Sequence, residues 1–344
     1  MKPMDSVVHK FLRIVGSPFA DSSYEPNTQD ASQFYQYALK NRMSLLYLDA
    51  LEKIGRLGSL KKEHDKLIDK HTETERAIHR VSKMMDRACI DYALFKSIRP
   101  YREVTVDIDI LTFDSSYLEV VRAMQRAGYV FLGRGPLSTT FQDSEARIDL
   151  DIYDEVGVSH IIYLDKDILK NFVGNRKLSN GDVVRSLYPE ADLLAVIAHS
   201  VLKEQIYVLS EYYTTLYYLA GMDYETLSSF LSLVSKCRIR SAVEVHLGIT
   251  ALLHWEAHGF IPVCLMRLLK KLDVNCLEPA RFVETGFHMP YKYHPITIIK
   301  AFNEKLGEEK ARRSFASQTF NMLNPKFALS LVEKVFHHLS RETY

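Results

Sequence analysis

Two short segments with alternating acidic and apolar residues constrain this chain more than any other feature. They read Val-Asp-Ile-Asp-Ile from Val106 to Ile110 and Ile-Asp-Leu-Asp-Ile from Ile148 to Ile152. Successive side chains of a β-strand point to opposite faces of a sheet, so the aspartates of each segment share one face. The apolar residues share the other face, which predicts burial against a helical layer. Adjacent carboxylates repel each other on a bare surface, so the acidic faces call for a cationic partner.

The four aspartates predict a divalent-cation site if the two strands are neighbours in one sheet. They are Asp107, Asp109, Asp149 and Asp151. Oxygen-rich clusters suit Mg²⁺, which is bound through carboxylates together with substrate phosphates. Two such ions about 4 Å apart activate an attacking hydroxyl and stabilise a leaving pyrophosphate. The pattern therefore indicates phosphoryl or nucleotidyl transfer, and the alternative is that the aspartates form the hydrated face of an antiparallel sheet.

A phosphate-binding turn is expected just before the first acidic strand. The segment Leu94-Phe95-Lys96-Ser97 predicts a strand that leads into a turn and a short helix. Such a turn presents backbone N–H groups and a hydroxyl to a phosphate. Lys96, Arg99 and Arg102 add positive charge nearby.

At these residues the chain resembles the nucleotidyltransferase superfamily of DNA polymerase β type. In that family a hydrophobic-Gly-Gly/Ser turn precedes Asp-x-Asp/Glu on one strand, and a third Asp lies on a later strand. Ser97 matches the serine of the turn, Asp107 and Asp109 match the paired acids, and Asp149 best matches the third acid. The chain departs from the pattern at Lys96, which stands where the family has glycine.

The resemblance implies a transferase of EC 2.7.7 type that moves NMP from an NTP, most plausibly ATP, to an acceptor hydroxyl and releases pyrophosphate. It implies two Mg²⁺ ions, both held by Asp107 and Asp109. Asp149 would complete the ion that activates the acceptor, and Asp151 would be an outer or substitute ligand. The resemblance also implies a nucleotide-binding set, in which Ser97 contacts the β- and γ-phosphates and the other members are Lys96, Arg99, Arg102, His199 and Lys203.

His199 and Lys203 lie on a predicted helix that begins near Pro189. This helix resembles the one that follows the third acid in a poorly characterised branch of the superfamily, whose members have a helical C-terminal domain. Residues four apart share one helical face, so the two side chains would reach the nucleotide or the acceptor together. The alternative is a half-buried histidine beside a solvated lysine.

The predicted fold is α+β, with a small mixed β-sheet nucleotidyltransferase core between two helical parts. Helical spacing predicts helices over Ala31–Ile54 and over 60–89. From Asp165 onward the pattern is helical again, with a last helix over 327–340. We therefore expect an N-terminal helical segment over 1–89, a catalytic core over 90–160 and a helical C-terminal domain over 161–344.

Charge and cysteine usage narrow the partners and the compartment. Lys plus Arg number 44 and Asp plus Glu number 43, which predicts no general attraction to nucleic acid or to a membrane surface. Four cysteines without a CxxC pair argue against a disulfide framework and favour a reducing compartment, the cytoplasm. Neither a signal peptide nor a membrane-spanning helix is expected.

The expected small-molecule partner is an NTP, whereas the acceptor stays open between an RNA end, a protein hydroxyl and a small molecule. One alternative to the enzyme is a non-catalytic nucleotide- or RNA-binding module with a degenerate nucleotidyltransferase core. Another is a helical scaffold that contains a decayed catalytic unit. The missing turn glycine at Lys96 motivates the first of these, the non-catalytic binding module.

Overall fold

A seven-stranded mixed sheet lies in sequence between the N-terminal helices and the helices of the second half of the chain. The computed structural model describes residues 6–114, 117–274, 277–321 and 323. The strands are β1 (Tyr92–Leu94), β2 (Asp107–Thr112), β3 (Val130–Arg134), β4 (Ser138–Asp143), β5 (Ile148–Tyr153), β6 (Val156–Val158), β7 (Ile161–Leu164), β8 (Val173–Lys177), β9 (Val183–Leu187), β10 (Ile206–Tyr207) and β11 (Tyr291–Lys292). The large sheet has the order β3-β4-β5-β2-β1-β9-β8, and the remaining strands form two small sheets.

The helices of the described residues precede, interrupt and follow these strands. They are α1 (Val7–Val15), α2 (Thr28–Lys40), α3 (Ser44–Lys53), α4 (Lys61–Arg87), α5 (Tyr117–Arg126), α6 (Lys166–Leu169), α7 (Pro189–Ala198), α8 (Leu209–Gly221), α9 (Tyr224–Lys236), α10 (Arg240–His258), α11 (Val263–Leu272), α12 (Leu277–Glu284), α13 (Pro295–Lys305) and α14 (Glu309–Asn321). A π-helical segment, His199–Glu204, extends α7. The predicted α+β class is therefore confirmed.

The two acidic strands are neighbours at the centre of the sheet. β2 and β5 pair in parallel, with Asp107 beside Asp149 and Asp109 beside Asp151. Their apolar face is fully buried, as predicted, at Ile108, Ile110 and Leu150 among others. It packs against the apolar sides of α4 and α5. The opposite face carries the aspartates towards α7 and its π-helical extension.

The predicted helix over Ala31–Ile54 is two helices, α2 and α3. Arg42 adopts a left-handed backbone conformation (φ 54°), which a continuous α-helix does not allow. The Asn41 side chain stabilises the break, because its amide nitrogen donates to the Tyr37 carbonyl (3.1 Å) and its oxygen accepts from the Leu209 backbone (3.2 Å). The apolar spacing continues across the break because both helices contribute to the same buried cluster.

Three further features differ from the sequence expectation or lie beyond it. Strands β8 and β9 fall in a stretch predicted to be helical, and they extend the central sheet past residue 160. Helix α12 was not predicted. The predicted helix over 327–340 lies outside the described residues. β8 carries Gly and three polar residues and is partly exposed, so it lacks the apolar alternation that marks a strand.

Helices from both ends of the chain share one core. Phe11 and Tyr47 belong to the same buried cluster as Leu194, Tyr212 and Leu247. The N-terminal helices thus support the helix that faces the acidic strands.

The helices of the described residues include none with the length and apolar character of a membrane-spanning segment.

Candidate functional site

Three aspartates converge on the polar face of the central strands. One carboxylate oxygen from each of Asp107, Asp109 and Asp151 lies within 4.8 Å of the others. Asp109 is only 6% exposed, and the other two are partly buried. A set of converging hard oxygen donors fits a divalent cation such as Mg²⁺. These three side chains are the residues that would hold one.

The structure places Asp151, and not Asp149, in this cluster. Both residues lie on the polar face of β5, and both receive a hydrogen bond from β4. Gln142 Nε2 donates to Asp149 Oδ1 (3.1 Å), whereas Thr140 Oγ1 donates to Asp151 Oδ1 (2.6 Å). Asp151 lies beside Asp109 in the strand register. The geometry therefore gives Asp151 the third position that the sequence resemblance assigned to Asp149.

The electrostatics of the cluster disfavour three bare carboxylates. Burial, together with the Asp109 and Asp151 carboxylates, raises the pKa of Asp107 to about 6, against the opposing charges of Lys96 and Lys203. Burial also raises the pKa of Asp151, although the hydrogen bond from Thr140 lowers it. Burial and like charges both favour the neutral form of an acid. A cation placed among these groups relieves both effects.

Lys96 already directs positive charge into the cluster. Its ammonium lies 3.3 Å from Asp109 Oδ1 and 3.0 Å from His199 Nδ1. The residue has a left-handed backbone (φ 61°), the region in which glycine is the usual residue. Its backbone N–H donates to Asp192 Oδ1 on α7 (2.5 Å), which anchors the turn.

Ser97 uses its hydroxyl within the turn. The Oγ accepts a hydrogen bond from the Asp109 backbone N–H (2.6 Å) and donates to the Phe95 carbonyl (3.1 Å). The side chain is buried. Ser97 therefore positions the strand that carries Asp109, whereas the resemblance implied contact with phosphates.

Asp107 and Asp109 line a cleft of about 170 Å³. Its lining also includes nitrogen-bearing side chains from three separate parts of the chain: Arg42, Lys96, Arg99, His199 and Lys203. Sequence reasoning singled out four of these residues and missed Arg42. No local pattern marks Arg42, because it reaches the cleft only through the left-handed break between α2 and α3.

The π-helical segment brings His199 and Lys203 to the cleft together. Lys203 Nζ lies 3.3 Å from the Tyr153 hydroxyl, and His199 Nε2 lies 3.4 Å from Glu204 Oε1. Burial, followed by the charge of Lys96, lowers the pKa of both side chains, that of His199 well below its usual value. Lys203 is thus a half-buried lining residue rather than a solvated one.

The two predicted arginines lie in different places. Arg99 lines the cleft, where Nη1 donates to Thr214 Oγ1 (2.9 Å) and Nη2 lies 3.7 Å from Glu211 Oε1. Arg102 is outside the cleft lining and donates through Nε to Asp49 Oδ2 (3.1 Å). The structure therefore does not bring Arg102 to the cluster of Asp107, Asp109 and Asp151.

Asp49 also belongs to a second group of possible metal ligands, with Glu52 and His64. Cationic side chains already compensate its acids. Arg102 contacts Asp49, and Lys61 Nζ lies 3.4 Å from Glu52 Oε1. This group is therefore satisfied as an ion-pair network between α3 and α4.

Comparison with known proteins gives a weak structural resemblance. No protein-family model matches the chain, and no curated protein matches it. Among solved structures, the chain is similar to a STING-associated CdnE c-di-GMP synthase from Capnocytophaga granulosa. The two are 13% identical, the match covers 71% of this chain and 97% of that one, and the TM-score is 0.27. At that TM-score, the resemblance decides neither the fold nor the chemistry of this chain.

Proposed function

We propose that this protein is a divalent-cation-dependent nucleotidyltransferase. It would transfer NMP from an NTP, with ATP the leading candidate, to an acceptor hydroxyl and release pyrophosphate. The observation that carries the proposal is the convergence of Asp107, Asp109 and Asp151, because the first two of these aspartates line a cleft. The same cleft is lined by four basic side chains and by two glutamates: Arg42, Lys96, Arg99, Lys203, Glu204 and Glu211. That pairing of charges suits an anionic substrate that arrives with its own cation.

The three carboxylates would bind the divalent cation, and neighbouring polar side chains would hold the strands that carry them. Asp107, Asp109 and Asp151 would hold Mg²⁺, which when bound stabilises negative charge at the phosphate and lowers the pKa of the attacking hydroxyl. Ser97 would keep Asp109 in place through the 2.6 Å hydrogen bond to its backbone N–H. Asp149 would remain paired with Gln142.

The cationic residues would position the triphosphate. Arg42, Arg99 and Lys203 line the cleft with charged side chains, and positioning together with charge stabilisation dominates phosphoryl transfer. The cleft of about 170 Å³ is smaller than the roughly 300 Å³ at which sites begin to enclose whole ligands. We therefore expect the phosphates to bind inside the cleft and the nucleoside to extend out of it.

The test is incorporation of label from each α-³²P NTP, with Mg²⁺ or Mn²⁺, into the RNA, protein and small-molecule fractions of a cell extract. The wild type should label one fraction and release pyrophosphate, whereas Asp109→Asn and Asp151→Asn should label none. Glu145→Gln alters an exposed acid that pairs with Arg80 (3.2 Å) and serves as the control that retains activity. Unchanged labelling by Asp109→Asn would refute the proposal. Loss of labelling in Asp149→Asn but not in Asp151→Asn would restore the assignment made from the sequence.

The second candidate function is a non-catalytic module that binds nucleotides. The observation that favours it is the Lys96 ammonium, which lies 3.3 Å from Asp109 within the acidic cluster. The labelling experiment, combined with calorimetry of ATP binding, distinguishes the two candidates. ATP binding with no label transferred and no pyrophosphate released would favour the module.

The proposed compartment is the cytoplasm. Cys89, Cys237 and Cys264 are free thiols in the structure, and scattered free cysteines are typical of a reducing environment.

A further inference from the structure

We infer that Lys96 is a resident cation of the acidic cluster, so that the site takes one divalent ion per chain and not the two that the sequence resemblance implies. This inference rests on the proposed function, because it concerns the same three aspartates. It goes further by assigning to a side chain of this protein the charge that a second metal ion would otherwise supply.

The position of the ammonium carries the first step. Lys96 Nζ lies 3.3 Å from Asp109 Oδ1, which is ion-pair distance. The side chain is only 6% exposed, so the charge is held inside the protein and does not extend into solvent. A buried ammonium requires compensation by an opposite charge, and Asp109 supplies it.

The second step is that several contacts hold the ammonium where it is. A lysine ammonium only donates hydrogen bonds, so His199 Nδ1, at 3.0 Å, must accept one. The hydrogen of that imidazole is then on Nε2, which lies 3.4 Å from Glu204 Oε1. The ammonium also lies over the rings of Phe95 (4.7 Å) and Tyr153 (5.3 Å). Such a surrounding stabilises the ammonium at this position and disfavours its displacement by an arriving ion.

The backbone of the turn fixes the position and direction from which the Lys96 side chain extends. Lys96 keeps a left-handed conformation that lysine rarely adopts, and its N–H is bound by the buried carboxylate of Asp192. Glycine would fit this conformation without strain. A lysine held in this left-handed conformation, with its ammonium at ion-pair distance from the Asp109 carboxylate, is more than a tolerated replacement for glycine.

The charge balance carries the last step. Three ionised aspartates bring three negative charges, and Lys96 pairs with that of Asp109. The nearby Lys203 ammonium lies 4.0 Å from Glu204 Oε1, which offsets its charge. One divalent ion then balances Asp107 and Asp151. A second ion would compete with the ammonium for Asp109 and would lie close to its positive charge, which opposes binding.

The test counts Mn²⁺ ions bound by the full chain in the presence of a non-hydrolysable ATP analogue, by electron paramagnetic resonance and calorimetry. We expect one ion per chain for the wild type and for Lys96→Arg, which keeps the charge. We expect two for Lys96→Gly, which removes the ammonium and suits the left-handed backbone.

Lys96→Gln covers the case in which the glycine variant does not fold. Because it removes the positive charge and keeps most of the side chain, it should bind its first Mn²⁺ at least about 10-fold more tightly than the wild type. Two ions on the wild type, or an unchanged count and affinity in the glycine and glutamine variants, would overturn the inference and leave the proposed function intact. No ion bound by any of these proteins would overturn both.

Discussion

Asp107→Asn should stabilise the metal-free protein at neutral pH, although it removes a proposed metal ligand. Burial and the neighbouring carboxylates raise the pKa of Asp107 from 3.8 to about 6. This rise in the pKa corresponds to roughly 3 kcal/mol of unfavourable free energy for the ionised carboxylate in the folded protein. The geometry gives a similar magnitude, because unit charges at the 4.8 Å limit of the cluster repel by about 3.5 kcal/mol at an effective dielectric constant of 20. We therefore expect a gain of about 1–3 kcal/mol.

The sign of the pH dependence follows from the direction of the shift. A carboxyl group whose pKa is raised in the folded state favours folding only while it is protonated. Its contribution is complete below the unfolded value of 3.8 and is lost as the pH rises through about 6. Asparagine does not titrate, so the stability difference between variant and wild type should be small at low pH and reach its maximum above about 6.

The assay is urea denaturation of both proteins in EDTA across this pH range, followed by the same titration with Mn²⁺. Ligand that binds only the folded state adds RT ln(1 + [L]/Kd) to the free energy of unfolding. Mn²⁺ should therefore stabilise the wild type and not the variant, which reverses their order.

Two results would contradict this reasoning. One is a variant less stable than the wild type in EDTA above pH 6, and the other is a stability difference that does not depend on pH. The matched control is Asp149→Asn. It alters the neighbouring aspartate of the register, whose carboxylate accepts from Gln142 and lies outside the cluster, so no comparable gain is expected.

Two further variants test the contacts that hold the site in place. Glu103→Ala removes the buried carboxylate that accepts the backbone N–H groups of Leu45 and Leu46 at the start of α3, and should lower the free energy of unfolding by about 1–3 kcal/mol in urea. Asp192→Ala leaves the N–H of the Lys96 turn without its acceptor and limits the Tyr218 hydroxyl to the Ile98 carbonyl at 3.4 Å, and should cost about 2–4 kcal/mol in the same measurement. Unchanged denaturation midpoints would show that water replaces these acceptors.

The periodicity of the chain predicted the central strands because it depends only on local geometry. Alternation placed Asp107 and Asp109 on one face of β2, and burial of Ile108 and Ile110 on the other face followed directly. Local periodicity was misleading at Arg42, where the backbone breaks the helix although the apolar residues on both sides of the break join one core. It was silent where a strand such as β8 has no apolar alternation.

Local sequence pattern accounts for two acidic strands, each with an apolar opposite face, and for the lysine at the turn before the first of them. The tertiary fold brings Asp151 into the cluster, Arg42 into the cleft lining and the Lys96 ammonium to Asp109. The physical reason is that strand alternation is a property of neighbouring residues. The meeting of three carboxylates with a lysine instead depends on strand pairing and on helices that are distant in the chain.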